Sequence, residues 1–400
     1  MWIESRIALR FLRQGKTQTA LIVVGIAVGV AVIVFITAMV TGLQANLIER
    51  TLGTQAHIRV EPLDEVNQVL PVGPGIVQLI LEDKRAQRLR SINNWPQVRD
   101  TLDTLPGIVA VSPVMTGPAM ARRGDAVESV ALMGVDPERY QKIIPIEQDM
   151  ISGQFRPGAG DAVIGRLLAE DLGLRLGGKL RLETGKGAST VVNVVGVFEL
   201  GVRELDSRYV YVDLKQAQSL LDLPGGVTLI DVGVADIFGA DEIANRIGSL
   251  TDLKSESWMQ SNTQLMNALD SQRLSTNMIS TFVAISVAFG IASVLAISVT
   301  QRTREIGILR AIGTTREQML RVFLLQGGVL GMAGSAIGSV AGLGLVAVFN
   351  NLGPGLFYIP LPPALIPVAV AAATLTGILA AAVPAWRASR LDPVVAIRYV

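Results

Sequence analysis

Three stretches of this chain contain no Asp, Glu, Lys or Arg, and nothing else limits the fold as strongly: Thr17–Ile48, Leu274–Gln301 and Val322–Trp386. Each exceeds the roughly 20 residues a helix needs to cross a bilayer. In hydrocarbon the backbone must satisfy its own hydrogen bonds, so such runs read as helices. The third is broken by Asn350–Pro363, NNLGPGLFYIPLPP, whose Pro and Gly residues cannot continue a lipid-exposed helix. Four spans are expected, at 19–42, 278–300, 323–349 and 364–386, with 350–363 as a short extracytoplasmic turn. Composition agrees, since half the residues are hydrophobic and only 17% are charged.

Charge sets the orientation. Residues 1–18, 301–322 and 387–400 together carry 12 basic and four acidic side chains, whereas 43–277 carry 23 basic and 30 acidic. The positive-inside rule places both termini and 301–322 in the cytoplasm, and the polar block 43–277 outside, in the periplasm of a bacterial inner-membrane protein. The chain has no cysteine, so that block relies on its core rather than on disulfides. Trp2–Gln14 sets Ile7, Ala8, Phe11 and Leu12 on one stripe and Arg6, Arg10 and Arg13 on another face, as in a helix lying in the cytoplasmic interface. The apolar run that follows is too long for a typical signal-peptide core, so an uncleaved helix is expected.

The outside block alternates strand and helix signals. His57–Glu61, Ile108–Val114, Val127–Val135, Val191–Glu199, Tyr209–Val212 and Val227–Val234 are rich in β-branched residues and read as strands. Pro96–Leu105, Ala162–Leu172, Lys215–Leu221 and Ala240–Leu250 read as helices. The expected fold is an α-helical membrane protein with four transmembrane helices and a large α+β extracytoplasmic domain, in two lobes, inserted between helices 1 and 2. Val66–Trp95 breaks the rhythm with GPG and a mixed-charge run, and reads as an exposed helical insertion or a solvated excursion.

Enzymatic chemistry finds little support. Gly173–Lys179 has the spacing of a phosphate loop, but Leu180 stands where a hydroxyl must reach magnesium, and a glycine turn before the strand Lys179–Glu183 explains the pattern. His57 is the only histidine, better read as a strand side chain than as a base, and no metal site is expected. The chain reads as no enzyme and binds no cofactor of its own. Within the spans, Gly25 and Gly29, and then Gly334, Gly338 and Gly342, recur every fourth residue, beside Gly327, Gly331 and Ser335; Ala369, Ala373, Gly377 and Ala381 do the same in the last span. Such stripes let helix backbones approach. No ionisable side chain lies inside a span, which argues against a proton relay.

Between spans two and three lies RTREIGILRAIGTTREQMLR, Arg302–Arg321. It is too polar to cross a bilayer and too apolar for a solvated linker. Ile308, Leu309 and Ile312 make an apolar strip beside Arg304, Glu305 and Arg310. Gly313 suits the left-handed end of a helix, and Thr314 or Thr315 with Glu317 or Gln318 suits a capping box for the next. These features alone leave a force-transmitting elbow and an interfacial loop held by positive charge equally open.

Four spans, one large outside domain and this loop form a recognisable set. Thr303–Gly331 and Val383–Tyr399 resemble the coupling helix and C-terminal signature of FtsX/MacB-type ABC transporter permeases. Ser257–Leu269 and Gly226–Asp236 are similar to the branch formed by the lipoprotein-releasing (Lol) inner-membrane permeases. Two places depart: span one ends MVTGL, where Lol-type chains have an NGF-like sequence, and Val66–Trp95 looks added. The resemblance implies a dimer of permeases, homodimer or paralogue heterodimer, each served by a cytoplasmic ABC ATPase that binds ATP and Mg. It implies ATPase coupling through Arg304, Glu305, Ile306, Gly307, Ile308, Leu309, Arg310, Ala311 and Gly313. Read from the residues themselves, Asp392 before Pro393 suits the N-cap and first position of a final short helix. Three activities follow from the resemblance: extraction of lipoproteins or lipid-like amphiphiles from the outer leaflet of the inner membrane, with a periplasmic carrier or adaptor; tripartite efflux or secretion of small molecules or peptides; or transduction to an external hydrolase without transport.

Overall fold

The computed structural model describes residues 2–63, 89–185, 187–353 and 357–391. Most of the Val66–Trp95 excursion and the helix expected at Asp392 lie outside the described residues. The chain divides into two compact units, residues 1–48 with 267–400, and residues 49–266.

The first unit is helical. Its elements are α1 (Trp2–Gln14), α2 (Lys16–Leu52), α3 (Thr263–Gln301), α4 (Thr303–Ala311), α5 (Arg316–Leu352) and α6 (Leu365–Ser389). Among the described residues four helices, α2, α3, α5 and α6, are long and apolar enough to cross a membrane. At 1.5 Å per residue, α2 and α3 are each about 55–60 Å long, roughly 25 Å more than the hydrocarbon needs. The spans expected from hydropathy end at the bilayer edge, but nothing in Gln44–Leu52 or Thr263–Asn277 breaks a helix, so the rods continue. Between α5 and α6 the chain is pinned by Asn350, whose amide accepts from the Ile359 N–H at 2.9 Å and donates to its carbonyl at 3.1 Å.

The glycine stripe of α5 serves two neighbours. A Cβ on Gly334 would lie 2.6 Å from Ile26, one on Gly338 2.5 Å from the Ala27 carbonyl, and one on Gly342 2.9 Å from Val34, all on α2. Gly327 and Gly331 instead meet Gly377 and Ala373 of α6. On α2, Gly29 sits against Val287 of α3, but Gly25 has nothing within 4 Å. Identical spacing thus conceals different roles: Gly25, expected to pack, faces open space.

Among the described residues the second unit is built on ten strands: β1 (Ile58–Glu61), β2 (Ile108–Arg123), β3 (Ala126–Val135), β4 (Met150–Gly153), β5 (Asp161–Gly165), β6 (Lys179–Thr184), β7 (Ser189–Phe198), β8 (Tyr209–Asp213), β9 (Leu229–Val234) and β10 (Lys254–Ser257). Their order is β10-β1-β9-β2-β3-β8-β5-β7-β4, with β6 paired to both β2 and β7. That double pairing closes β2-β3-β8-β5-β7-β6 into a ring, which removes free edges. The long β2 joins the ring to the open remainder: Ile108–Val114 pair with β9, and Ala119–Arg122 pair with β6.

Two of the ring strands, β8 and β5, bury both faces. Along β8, Val210 and Val212 enter one core with Leu132, Ile164, Leu182 and Val194, while Tyr211 enters another with Tyr140, Phe155 and Phe198. The same alternation divides Ala162 and Ile164 from Val163. This corrects the helix expected over Ala162–Leu172: its first residues are β5, and only Arg166–Asp171 is helical. A strand buried on both sides reads as a continuous apolar run, which periodicity cannot distinguish from a buried helix.

Arg59, Asp231 and Ser112 stand opposite one another across β1, β9 and β2. Asp231 is 1% exposed, and burial pushes its carboxyl up to about 6, against the pull of the Arg59 guanidinium 3.6 Å away. His57 extends the sheet: its Nδ1 accepts from the Val234 N–H at 3.0 Å, and burial lowers its pKa. The phosphate-loop spacing resolves as sheet pairing. Gly177 donates to the Val194 carbonyl, Val194 donates to that of Gly178, and Leu180 is fully buried.

Candidate coupling site

Helix α4 is short, so side-chain contacts and its two ends must hold it. It stops in a Schellman arrangement: Gly313 N–H donates to the Arg310 carbonyl at 3.2 Å and Thr314 N–H to that of Leu309 at 3.1 Å. Gly313 takes φ +110°, where a side chain is disfavoured. Helix α5 then starts from a capping box in which Thr315 Oγ1 accepts from Gln318 N–H and Gln318 Oε1 accepts from Thr315 N–H, at 3.2 and 3.0 Å. Of the two caps open in the sequence, the chain uses Thr315.

The residues of the loop divide by face. Ile306 and Gly307 are buried. Ile306 shares a core with Ala8 and Phe11 of α1, Val299 of α3, Met319, Val322 and Phe323 of α5, and Ala385 and Ala388 of α6; Leu309 packs against it. Arg304, Glu305, Ile308, Ala311, Ile312 and Gly313 are exposed, Ile308 by 43% and Ile312 by 79%. Of the residues expected to meet an ATPase, Ile306 and Gly307 therefore face the chain's own helices. Ile312, outside that set, stands a turn beyond Ile308 on the outward face. Its signal was the i, i+4 spacing itself.

The stripe of α1 is buried by protein: Phe11 is 5% exposed and packs on Phe323 at 6.3 Å between ring centroids. The interfacial helix read from the sequence thus turns its apolar side to α4 and α5 rather than to lipid. A further contact was invisible in the sequence: Gln326 of α5, buried in the bundle, donates to the Ala8 carbonyl at 3.4 Å.

Residues 19–250 match the model of the MacB-like periplasmic core domain, and residues 277–393 match that of the FtsX-like permease C-terminal region. The chain belongs to the FtsX/MacB family. As a member it is an ABC transporter permease, a transport subunit of the inner membrane with a periplasmic domain. Among its relatives, the lipoprotein-releasing system transmembrane protein LolC of Neisseria meningitidis is 24% identical over 99% of both chains. The macrolide export ATP-binding/permease protein MacB of Brucella abortus is 28% identical over 98% of this chain but 59% of its own length. The crystal structure of the periplasmic region of MacB from Actinobacillus actinomycetemcomitans has a TM-score of 0.37 at 14% identity, covering 55% of this chain and 96% of that one.

Proposed function

We propose that the outward strip of α4 (Arg304, Glu305, Ile308, Ala311 and Ile312) seats a cytoplasmic ABC ATPase subunit, and that the permease carries the motion of that partner to its periplasmic domain. ATP and Mg are bound by the partner. The observation that carries this reading is the strip itself: two isoleucines left exposed between charged groups, on a helix whose other face is buried. An exposed apolar patch rimmed by charge is the usual character of a protein docking site.

In this reading both termini and residues 301–322 are cytoplasmic, residues 43–277 are periplasmic, and the ring and the open sheet act as two lobes. Two permeases work together, as a homodimer or with a paralogue. The excess length of α2 and α3 suits rods that pass displacement beyond the bilayer. The cargo is a lipoprotein or similar amphiphile drawn from the outer leaflet of the inner membrane, passed to a periplasmic carrier or adaptor. End-to-end likeness to LolC supports that choice at 24% identity. Likeness to MacB, whose name joins ATP binding and macrolide export, favours efflux of small molecules as the second reading.

The permease is to be purified with its ATPase in proteoliposomes and given ATP in the presence of a labelled lipoprotein. Release of the lipoprotein supports the first reading. Macrolide export without lipoprotein release replaces it with the second, and co-purification with a hydrolase with neither release nor export removes both.

A further inference from the structure

Arginine side chains hold both ends of α4. At its start, Arg302 Nη2 donates to the Phe11 carbonyl at 2.8 Å, Nη1 donates to Gln14 Oε1 at 3.2 Å, and the guanidinium lies 4.7 Å from the Phe11 ring centroid. Beside it Gln18 Nε2 donates to Gln301 Oε1 at 3.0 Å. At the other end, Arg310 Nη1 donates to the Ser389 and Leu391 carbonyls, each at 2.8 Å. Ser389 is the last residue of α6 and Leu391 follows its cap Arg390; carbonyls at a helix C-terminus lack helical partners and carry the negative end of the helix dipole. Hydrogen bonds from a guanidinium to such groups are charge-assisted and directional.

We propose that Arg302 and Arg310 are positioning residues that fasten the coupling helix to α1 and to the end of α6. A push on Ile308 and Ile312 then reaches α1, α5 and α6 together instead of being absorbed in the loops at either end of α4. This rests on the docking reading above but is tested separately from it. Both arginines turn inward, so neither belongs to the docking surface, although the sequence places Arg310 in the same charged set as Arg304.

The full chain in nanodiscs, alone and with its co-purified ATPase, is compared with Arg302→Met, Arg310→Met and the two Lys variants. In the permease alone, hydrogen exchange over residues 303–312 rises roughly tenfold or more in the Met variants, because the helix opens locally once a fastening is lost. Arg310→Lys recovers part of the protection, since an ammonium still donates to one carbonyl. In the complex, ATPase retention and basal hydrolysis stay at the parent level. Release of a fluorescent triacylated lipopeptide per ATP falls roughly fivefold, the loss a merely local loosening would not produce. Unchanged exchange in both Met variants overturns the assignment. So does loss of the ATPase from Arg310→Met, which would place the residue on the docking face. The docking reading fails differently: Ile308→Arg would keep the ATPase bound while the exchange result stood.

Discussion

Gly327 and Gly377 meet backbone to backbone across α5 and α6: a Cβ on Gly327 would lie 2.3 Å from the Gly377 carbonyl oxygen, and one on Gly377 2.5 Å from that of Gly327. In a bilayer, where apolar burial drives little helix association, such close approach is a principal source of cohesion. Ala381 stands 2.6 Å from the same Gly327 position, so the helices have no slack to give. Gly327→Leu is expected to destabilise the bundle by about 1–3 kcal/mol or more, and Gly25→Leu to leave it unchanged. Thermal unfolding of the full chain in detergent separates the two; equal effects would contradict the distinction.

The outward and inward residues of α4 are expected to fail in different ways. Ile308→Arg and Ile312→Arg add charge to an exposed surface and leave folding intact, and each lowers ATPase retention at least roughly tenfold, as loss of an apolar anchor does. Arg304→Glu acts in the same direction. Ile306→Arg buries an unpaired charge among Phe323, Met319 and Ala385 and lowers yield and melting temperature instead. Co-purification from membranes alongside unfolding curves checks the division.

Asp231 sets a pH dependence for the periplasmic domain. Its carboxyl moves from an ordinary 3.8 to about 6, so the folded state holds the proton more tightly than the unfolded one. Its contribution is complete below about pH 4 and is lost as pH rises through about 6. Asp231→Asn removes that slope. Relative to the variant, the parent chain is expected to lose stability on the order of 3 kcal/mol between pH 4 and pH 7. Melting curves of both across that range check it, and parallel curves would contradict it.

Asp206 tests a local device in the ring. It is 3% exposed and accepts from the Leu200 and Gly201 N–H groups at 2.8 and 3.1 Å. Asp206→Ala leaves both donors unpaired and is expected to cost about 1–3 kcal/mol, with little change in ATPase retention.

What the sequence could tell follows the range of the forces involved. Charge-free windows mark the spans because bilayer solvation acts on each residue separately. The α4 turn chemistry was legible for the same reason, since Gly313 and Thr315 act on their own neighbours. Which face of α4 turns inward was not legible, because Ile306, Ile308 and Leu309 are alike in hydropathy and only packing against α1 and α6 sorts them. Closure of the ring was equally hidden: β6 pairs Arg181 with Arg122, far apart in sequence and unmarked by any local signal. The Arg310 bonds to Ser389 and Leu391 belong to this class, a side chain answering carbonyls some 80 positions away.

Displacement can be carried from an ATPase to the periplasmic domain only if α4 and the ring of strands lie on opposite sides of the membrane. The cysteine-free chain allows this to be measured directly, with Ala311→Cys on α4 and Val127→Cys on the exposed side of β3. A membrane-impermeant maleimide applied to spheroplasts is expected to label Val127→Cys at once and Ala311→Cys only after the membrane is opened. Labelling of both positions from the same side would contradict the account.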